Sequence, residues 1–130
     1  MTPFLDHVVL EVRDVTASLA FYRAVLGLEP VREAEFRAGE APFASVRVSG
    51  ETLLDFFPPA MWKNPDAPQN PNHLCITLDQ AGVVALRERL EGLKVPIERT
   101  LERSFGARGY GVSLYFSDPD GITLEARYYP

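Results

Sequence analysis

Cysteine is nearly absent from this chain, since Cys75 is the only one among 130 residues. A single cysteine cannot form a disulfide or a cysteine-based zinc site within one chain. Because Cys75 lies in an apolar stretch, we expect a buried structural thiol.

Positive charge is also sparse, with 13 Lys and Arg residues against 18 Asp and Glu residues and a net charge of -5. The scattered basic residues form no patch for phosphate backbones or anionic lipid. No apolar run approaches the roughly 20 residues that span a bilayer, and the N-terminal residues lack the basic and apolar regions of a signal peptide. We therefore expect a cytoplasmic protein with no nucleic-acid or membrane partner.

Histidine occurs twice, and His7 and His73 each open an apolar stretch typical of a strand. A helical pattern follows each strand and ends near a glycine, 20 residues after His7 at Gly27 and 19 residues after His73 at Gly92. Asp14 is the predicted cap of the first helix, and the second starts at Asp79 or Gln80. The near-constant spacing indicates a duplicated unit.

Each half is predicted to contain a strand, a helix and three further strands, which is a βαβββ module within an α+β fold. The three later strands are predicted at 30–37, 42–49 and 52–57 in the first half, and at 95–103, 111–117 and 122–129 in the second. The modules cover 1–57 and 71–130 of a single domain spanning 1–130, and a proline-rich connection joins them.

Strand alternation predicts where four polar side chains point, because residues two apart share a face of a strand. Apolar neighbours occupy the helix face, so Asp55 and Glu125 face away from the helices, and His7 and His73 do the same. Two sheets that curl toward each other would bring these four groups together in a cleft. The pattern predicts a metal site.

Two imidazoles and carboxylates suit a divalent ion such as Ni, Zn, Fe, Co or Mn. Such an ion acts as a Lewis acid on adjacent substrate oxygens, and a carboxylate that detaches serves as a proton shuttle. We assign this catalytic role to Glu125. Asp55 is the weaker fourth ligand, because its side chain is one methylene shorter than that of Glu.

Three further residues are candidates for substrate binding. Arg108 and Tyr110 lie in the glycine-rich segment 104–111, which is either a flexible loop over an anionic or aromatic ligand or a hairpin loop with a solvated arginine. Trp62, in the connection, either lines the same cleft or packs the connection down. Tyr115 is either a core or a pocket residue.

Several stretches together resemble the vicinal oxygen chelate superfamily, which includes glyoxalases, bleomycin resistance proteins and extradiol dioxygenases. The matching stretches are 5–12, 21–28, 73–76 and 117–125. The resemblance implies a partly open barrel of two modules around a metal, usually in a homodimer. It also implies His7, His73 and Glu125 as metal ligands, with Asp55 at the position where glyoxalase I enzymes carry a glutamate.

Three functions are compatible with this resemblance. The first is a metal-dependent glyoxalase-like lyase or isomerase acting on a small molecule with vicinal oxygens. The second is a ring-cleaving dioxygenase, because three firm ligands leave open positions for a catecholic substrate and dioxygen. The third is a non-catalytic protein that binds a small molecule or drug, as in bleomycin resistance.

Overall fold

Two four-stranded mixed sheets, one in each half of the chain, form the fold in the computed structural model, which describes residues 2–130. The chain divides into two units, unit 1 up to Pro71 and unit 2 from Asn72 to Pro130. Unit 1 contains β1 (His7–Glu11), α1 (Val15–Leu26), β2 (Glu29–Val31), α2 (Glu33–Arg37), β3 (Ala44–Arg47) and β4 (Leu53–Phe57). Unit 2 contains β5 (His73–Thr77), α3 (Gln80–Gly92), β6 (Arg99–Gly106), β7 (Gly109–Ser117) and β8 (Thr123–Tyr128).

The two sheets have the same topology. The strand order is β1-β4-β3-β2 in unit 1 and β5-β8-β7-β6 in unit 2. The first and last strands of each unit pair in parallel, and the other pairs are antiparallel. Each sheet is open, and the predicted α+β fold of two repeated modules is confirmed.

Side-chain alternation places an apolar face of each sheet in the core. In unit 1, Leu10, Leu54 and Phe56 are at most 4% exposed, and in unit 2 Leu124 and Ala126 are 1% exposed. Burial of such side chains contributes about 1.5–3 kcal/mol each, which stabilises one register against a slip of one residue. The opposite face of each sheet therefore carries the polar residues.

The ends of the two long helices follow from local chemistry. Asp14 accepts a hydrogen bond from the Ala17 amide at 3.0 Å, and Gly27 ends α1 with a left-handed φ of 68°. Asp79 caps α3, but the expected end at Gly92 differs in detail. Gly92 is the last helical residue, Leu93 is the cap, and Lys94 takes the left-handed conformation.

The strand expected at 30–37 is wrong beyond Val31, because α2 occupies Glu33–Arg37. Its residues are mostly good helix formers, and Arg37 lies 3.3 Å from Glu33 one turn earlier. Arg32 has a left-handed φ of 64°, which ends the strand before the helix starts. Unit 1 therefore has one helix more than the predicted module.

The glycine-rich segment 104–111 forms a hairpin rather than an irregular loop. Gly106 pairs with Gly109, so the turn between β6 and β7 has only two residues. Gly106 also allows a close approach, because a Cβ there would collide with the Arg127 guanidinium and lie 2.6 Å from the Tyr129 hydroxyl. Of the two alternatives, the hairpin is the one observed.

The proline-rich connection is fixed to β1 within unit 1. The buried Glu11 carboxylate accepts hydrogen bonds from the backbone amides of Lys63 at 3.0 Å and Gln69 at 2.6 Å. The Asn70 side chain bonds the backbone N–H and carbonyl of Glu11. Among the described residues, no helix is long and apolar enough to cross a membrane.

Candidate functional site

The polar face of unit 1 brings a histidine and a carboxylate together. Asp55 pairs across the parallel strands with Val9, which shares a face with His7. The Nε2 atom of His7 lies 3.9 Å from Oδ2 of Asp55. Nδ1 of His7 lies 2.7 Å from an Asp6 oxygen, and since a carboxylate only accepts, Nδ1 is the donor of this hydrogen bond.

Unit 2 repeats this arrangement at equivalent positions. Nε2 of His73 lies 3.2 Å from Oε1 of Glu125, and Nδ1 lies 2.7 Å from the amide oxygen of Asn72. A hydrogen bond from Nδ1 fixes the imidazole tautomer and orientation, as it does for metal-bound histidines. We call His7 and Asp55 the first pair and His73 and Glu125 the second pair.

A serine holds the second oxygen of each carboxylate. The Ser45 hydroxyl donates to Oδ1 of Asp55 at 2.6 Å, and the Ser113 hydroxyl donates to Oε2 of Glu125 at 2.6 Å. Both serines are 2% exposed. Neither serine is among the residues predicted from the sequence, although alternation within β3 and β7 places both on the polar face.

Arg127 is a further functional candidate that was not predicted from the sequence. Its guanidinium lies 2.8 Å from Oε2 of Glu125, and the two side chains are only 4% and 3% exposed. Arg127 also donates to the Ser104 hydroxyl at 2.9 Å and to the carbonyls of Ser104 and Phe105. It therefore joins the second pair to the end of the β6–β7 hairpin.

The surroundings shift the pKa values of the two pairs in different ways. The hydrogen bond to Asp6 and the charge of Asp55 raise the pKa of His7. Burial alone would raise the pKa of Glu125, but hydrogen bonds from Ser113, Arg127 and Tyr115 outweigh it and hold that pKa below its ordinary value. Glu125 is therefore ionised at neutral pH.

Tyr115 lies directly opposite Glu125 in the β7–β8 pairing. Its ring contacts the ring of His73 with centroids 5.9 Å apart, and the guanidinium of Arg99 lies 5.5 Å above the ring. Burial and the Glu125 carboxylate raise the pKa of Tyr115, which keeps the phenol protonated. The structure places Tyr115 beside a cavity rather than in the core.

Two cavities lie beside His73 within unit 2. The first has a volume of about 230 Å³, and its wall includes Cys75, Glu125 and Arg127. The second has a volume of about 320 Å³, and Tyr115 lines it. Cys75 is exposed, so the expectation of a buried thiol is wrong, because its side chain shares the polar face of β5 with His73.

The residues predicted to contact a substrate lie elsewhere. Arg108 is exposed at the hairpin turn, with its guanidinium 4.8 Å above the ring of Tyr129. Tyr110 is 51% exposed and packs against Phe105, and neither Arg108 nor Tyr110 lines the two cavities. In unit 1, Trp62 donates its indole N–H to the carbonyl of Phe57 at 3.1 Å. Their role as substrate contacts stays a prediction.

The donor chemistry of both pairs fits a divalent metal. Each pair offers the Nε2 atom of an imidazole and a buried carboxylate oxygen. Asp6 and Asn72 orient the imidazoles, and Ser45 and Ser113 orient the carboxylates. Within residues 2–130, no three His, Cys, Asp or Glu side chains form a group that could hold a metal ion. Each pair by itself therefore offers two ligand groups.

Fold and site together define a protein of two repeated sheet-and-helix units, each with a histidine facing a carboxylate. The chain belongs to the Glyoxalase/Bleomycin resistance protein/Dioxygenase superfamily, whose family model matches residues 4–126. Proteins of this superfamily act on or bind small molecules.

The chain is also similar to several named proteins. The chain is 30% identical over 130 residues to a virulence protein of Salmonella typhimurium, covering 96% of this chain and 83% of that protein. It is 32% identical over 123 residues to the protein named glyoxylase I 4 of Arabidopsis thaliana, covering 93% and 68%. The crystal structure of a lactoylglutathione lyase from Agrobacterium tumefaciens aligns with a TM-score of 0.65 and 27% identity, covering 94% of this chain and 90% of that one.

Proposed function

We propose that this protein is a metal-dependent lyase or isomerase of the glyoxalase kind, acting on a small molecule with vicinal oxygens. His7, His73 and Glu125 are the proposed ligands of one divalent ion, with Asp55 as a weaker fourth ligand. The metal is Ni, Zn, Fe, Co or Mn. The similarity to glyoxylase I 4 and to the lactoylglutathione lyase supports the reaction class.

One observation carries this proposal: in each unit, the Nε2 atom of an imidazole faces a buried carboxylate oxygen. The separations are 3.9 Å in the first pair and 3.2 Å in the second. A carboxylate and an unprotonated imidazole nitrogen are both ligands of divalent transition metals. The proposed set takes one pair from each unit.

Glu125 and the residues that bind it have different roles in the proposed reaction. A bound divalent ion would supply Lewis-acid polarisation of substrate oxygens. Ser113 and Arg127 hold Oε2 of Glu125, so Oε1 is the oxygen left to bind metal or to accept a proton. Because these hydrogen bonds lower the basicity of Glu125, we expect it to be a weaker base than an unpaired carboxylate.

Metal analysis of protein purified without a polyhistidine tag tests the ligand assignment. We expect about one equivalent of a divalent metal per chain, and a large loss in both His7→Ala and His73→Ala. Arg103→Gln is the control, because this exposed residue of unit 2 stacks on Tyr110 and not on His73. Unchanged metal content in His73→Ala would refute the assignment.

The ring-cleaving dioxygenase is the second candidate, and the geometry of Asp55 favours it. Oδ2 of Asp55 lies 3.9 Å from Nε2 of His7, whereas the longer Glu125 reaches 3.2 Å from His73. A three-ligand site leaves open positions for substrate and dioxygen. Oxygen uptake with catechols separates this function from isomerase activity on a mixture of methylglyoxal and a thiol.

A non-catalytic binding protein is the third candidate, and Arg127 favours it. The guanidinium already compensates the charge of Glu125 at 2.8 Å, as in a structural ion pair that needs no metal. Substoichiometric metal in the wild-type protein, combined with tight binding of a small molecule, would establish this function instead.

Assembly as a homodimer and a cytoplasmic location remain part of the proposal.

A further inference from the structure

The larger cavity beside His73 also contains charged residues that belong to neither pair. It has a volume of about 320 Å³ and is lined by Asn72, His73, Glu98, Arg99, Tyr115 and Thr123. Small-molecule pockets start at about 300 Å³, so the cavity suits a compact ligand. All its lining residues belong to unit 2.

Arg99 is the cation of this cavity. Its guanidinium lies 5.5 Å above the ring of Tyr115 and, among the described residues, has no hydrogen-bond or ion-pair partner. Stacking on an aromatic ring orients a guanidinium while leaving its N–H groups free along the edge. A carboxylate is the group that matches such a fork of donors. Arg99 thus provides an open anion contact.

Glu98 limits which anions fit. Both of its carboxylate oxygens lie within hydrogen-bond distance of the Ser117 hydroxyl, at 2.7 and 3.1 Å. A second negative charge on a ligand would therefore meet a fixed carboxylate in the same cavity and be repelled. The cavity favours one carboxylate per ligand over two.

Tyr115 and His73 define the other end of the cavity. Their rings are in edge contact with centroids 5.9 Å apart, and Tyr115 lies opposite Glu125 in the β7–β8 pairing. A ligand whose carboxylate contacts Arg99 would extend along the Tyr115 ring toward His73.

We propose that this cavity binds a small monocarboxylic acid, with Arg99 as the anchor for its carboxylate and the oxygen on the neighbouring carbon directed toward His73. The substrate class is therefore 2-oxo or 2-hydroxy monocarboxylic acids. This inference rests on the proposed function for the role of His73 as a metal ligand.

Binding to metal-free protein tests the anchor without any contribution from a metal. The probes are 2-oxobutyrate, its methyl ester and the diacid 2-oxoglutarate, each titrated by ligand-observed NMR. We expect the wild-type protein to bind 2-oxobutyrate more tightly than the ester and the diacid. Arg99→Gln lowers the affinity for 2-oxobutyrate by about tenfold, since a charge-assisted hydrogen bond is lost, and leaves the affinity for the ester unchanged.

Two matched variants complete the experiment. Arg103→Gln removes an arginine of the same strand that also stacks on a tyrosine, 3.4 Å from the ring of Tyr110, but lines neither cavity. It should bind 2-oxobutyrate like the wild type. Glu98→Gln should reduce the difference in affinity between 2-oxobutyrate and 2-oxoglutarate.

The outcomes separate the two proposals. Equal affinities for 2-oxobutyrate and its ester, or an unchanged monoacid affinity in Arg99→Gln, overturn the anchor even if His73→Ala has lost its metal. Monoacid binding that depends on Arg99 in a protein whose metal content does not depend on His73 supports the anchor and refutes only the metal assignment.

Discussion

The two pairs share one geometry but differ in their electrostatic surroundings. In unit 1, Asp6 and Asp55 place two carboxylates around His7, and within residues 2–130 that histidine forms the one ion pair of Asp55. In unit 2, the side-chain amide of Asn72 occupies the position of the Asp6 carboxylate, and Arg127 forms an ion pair with Glu125 at 2.8 Å. The repeated topology positions the pairs, whereas single neighbouring residues set their charge.

Because of this difference, the two pairs have different electrostatic properties. The first pair concentrates negative charge and attracts a cation. In the second pair, Arg127 compensates the charge of the carboxylate without metal. Replacing the residues that differ between the pairs tests this comparison.

Arg127→Met is expected to have the largest effect, because it makes unit 2 resemble unit 1, where the apolar Phe57 occupies the equivalent position two residues after the carboxylate. The change leaves Glu125 buried without its cation. Loss of one partner of a buried ion pair costs about 3–5 kcal/mol. We expect a decrease of this size in the free energy of unfolding, measured by chemical denaturation.

The double variant Glu125→Gln with Arg127→Met is the control. Since it removes both charges, it should recover part of the stability lost in Arg127→Met. A loss below about 1 kcal/mol in the single variant would show that the pair is not fixed in a low-dielectric site.

Replacing the two serines by alanine is expected to have a smaller and unequal effect. Ser45→Ala leaves Oδ1 of Asp55 without a donor, which costs about 1–3 kcal/mol for a buried acceptor. Ser113→Ala leaves Oε2 of Glu125 with Arg127, so we expect a loss of only about 0.5–1.5 kcal/mol. Denaturant unfolding of both variants measures the difference, and an equal or larger loss for Ser113→Ala contradicts the comparison.

Asp6→Asn has the smallest expected effect and changes only the titration of His7. The hydrogen bond to Asp6 is the main cause of the raised pKa of His7, so its neutral replacement lowers that pKa. NMR titration of the imidazole protons in metal-free protein measures the shift. Glu40→Gln, which removes a carboxylate that does not contribute to the shift, should leave the His7 pKa unchanged, and an unaltered pKa in Asp6→Asn would contradict the assigned cause.

The first module shows how far local patterns predict structure. Asp14 and Gly27 mark the ends of α1, since capping depends on residues within one turn. The prediction of a strand at 30–37 is wrong after Val31, because the apolar alternation there is weak and helix-forming residues follow. The sequence did not distinguish a flexible loop from a hairpin in the glycine-rich segment 104–111, since glycine suits both flexible loops and close packing.

The sequence alone determined that the histidine and the carboxylate of each module lie on the face opposite the helix, because alternation along a strand is a local property with a period of two residues. Only the tertiary structure decided which side chains meet them. Ser45, Ser113 and Arg127 reach the carboxylates through the pairing and packing of strands that are distant in sequence, and the register of that pairing is set by burial of the opposite, apolar face. The same register exposes Cys75 and places Arg99 and Tyr115 beside His73.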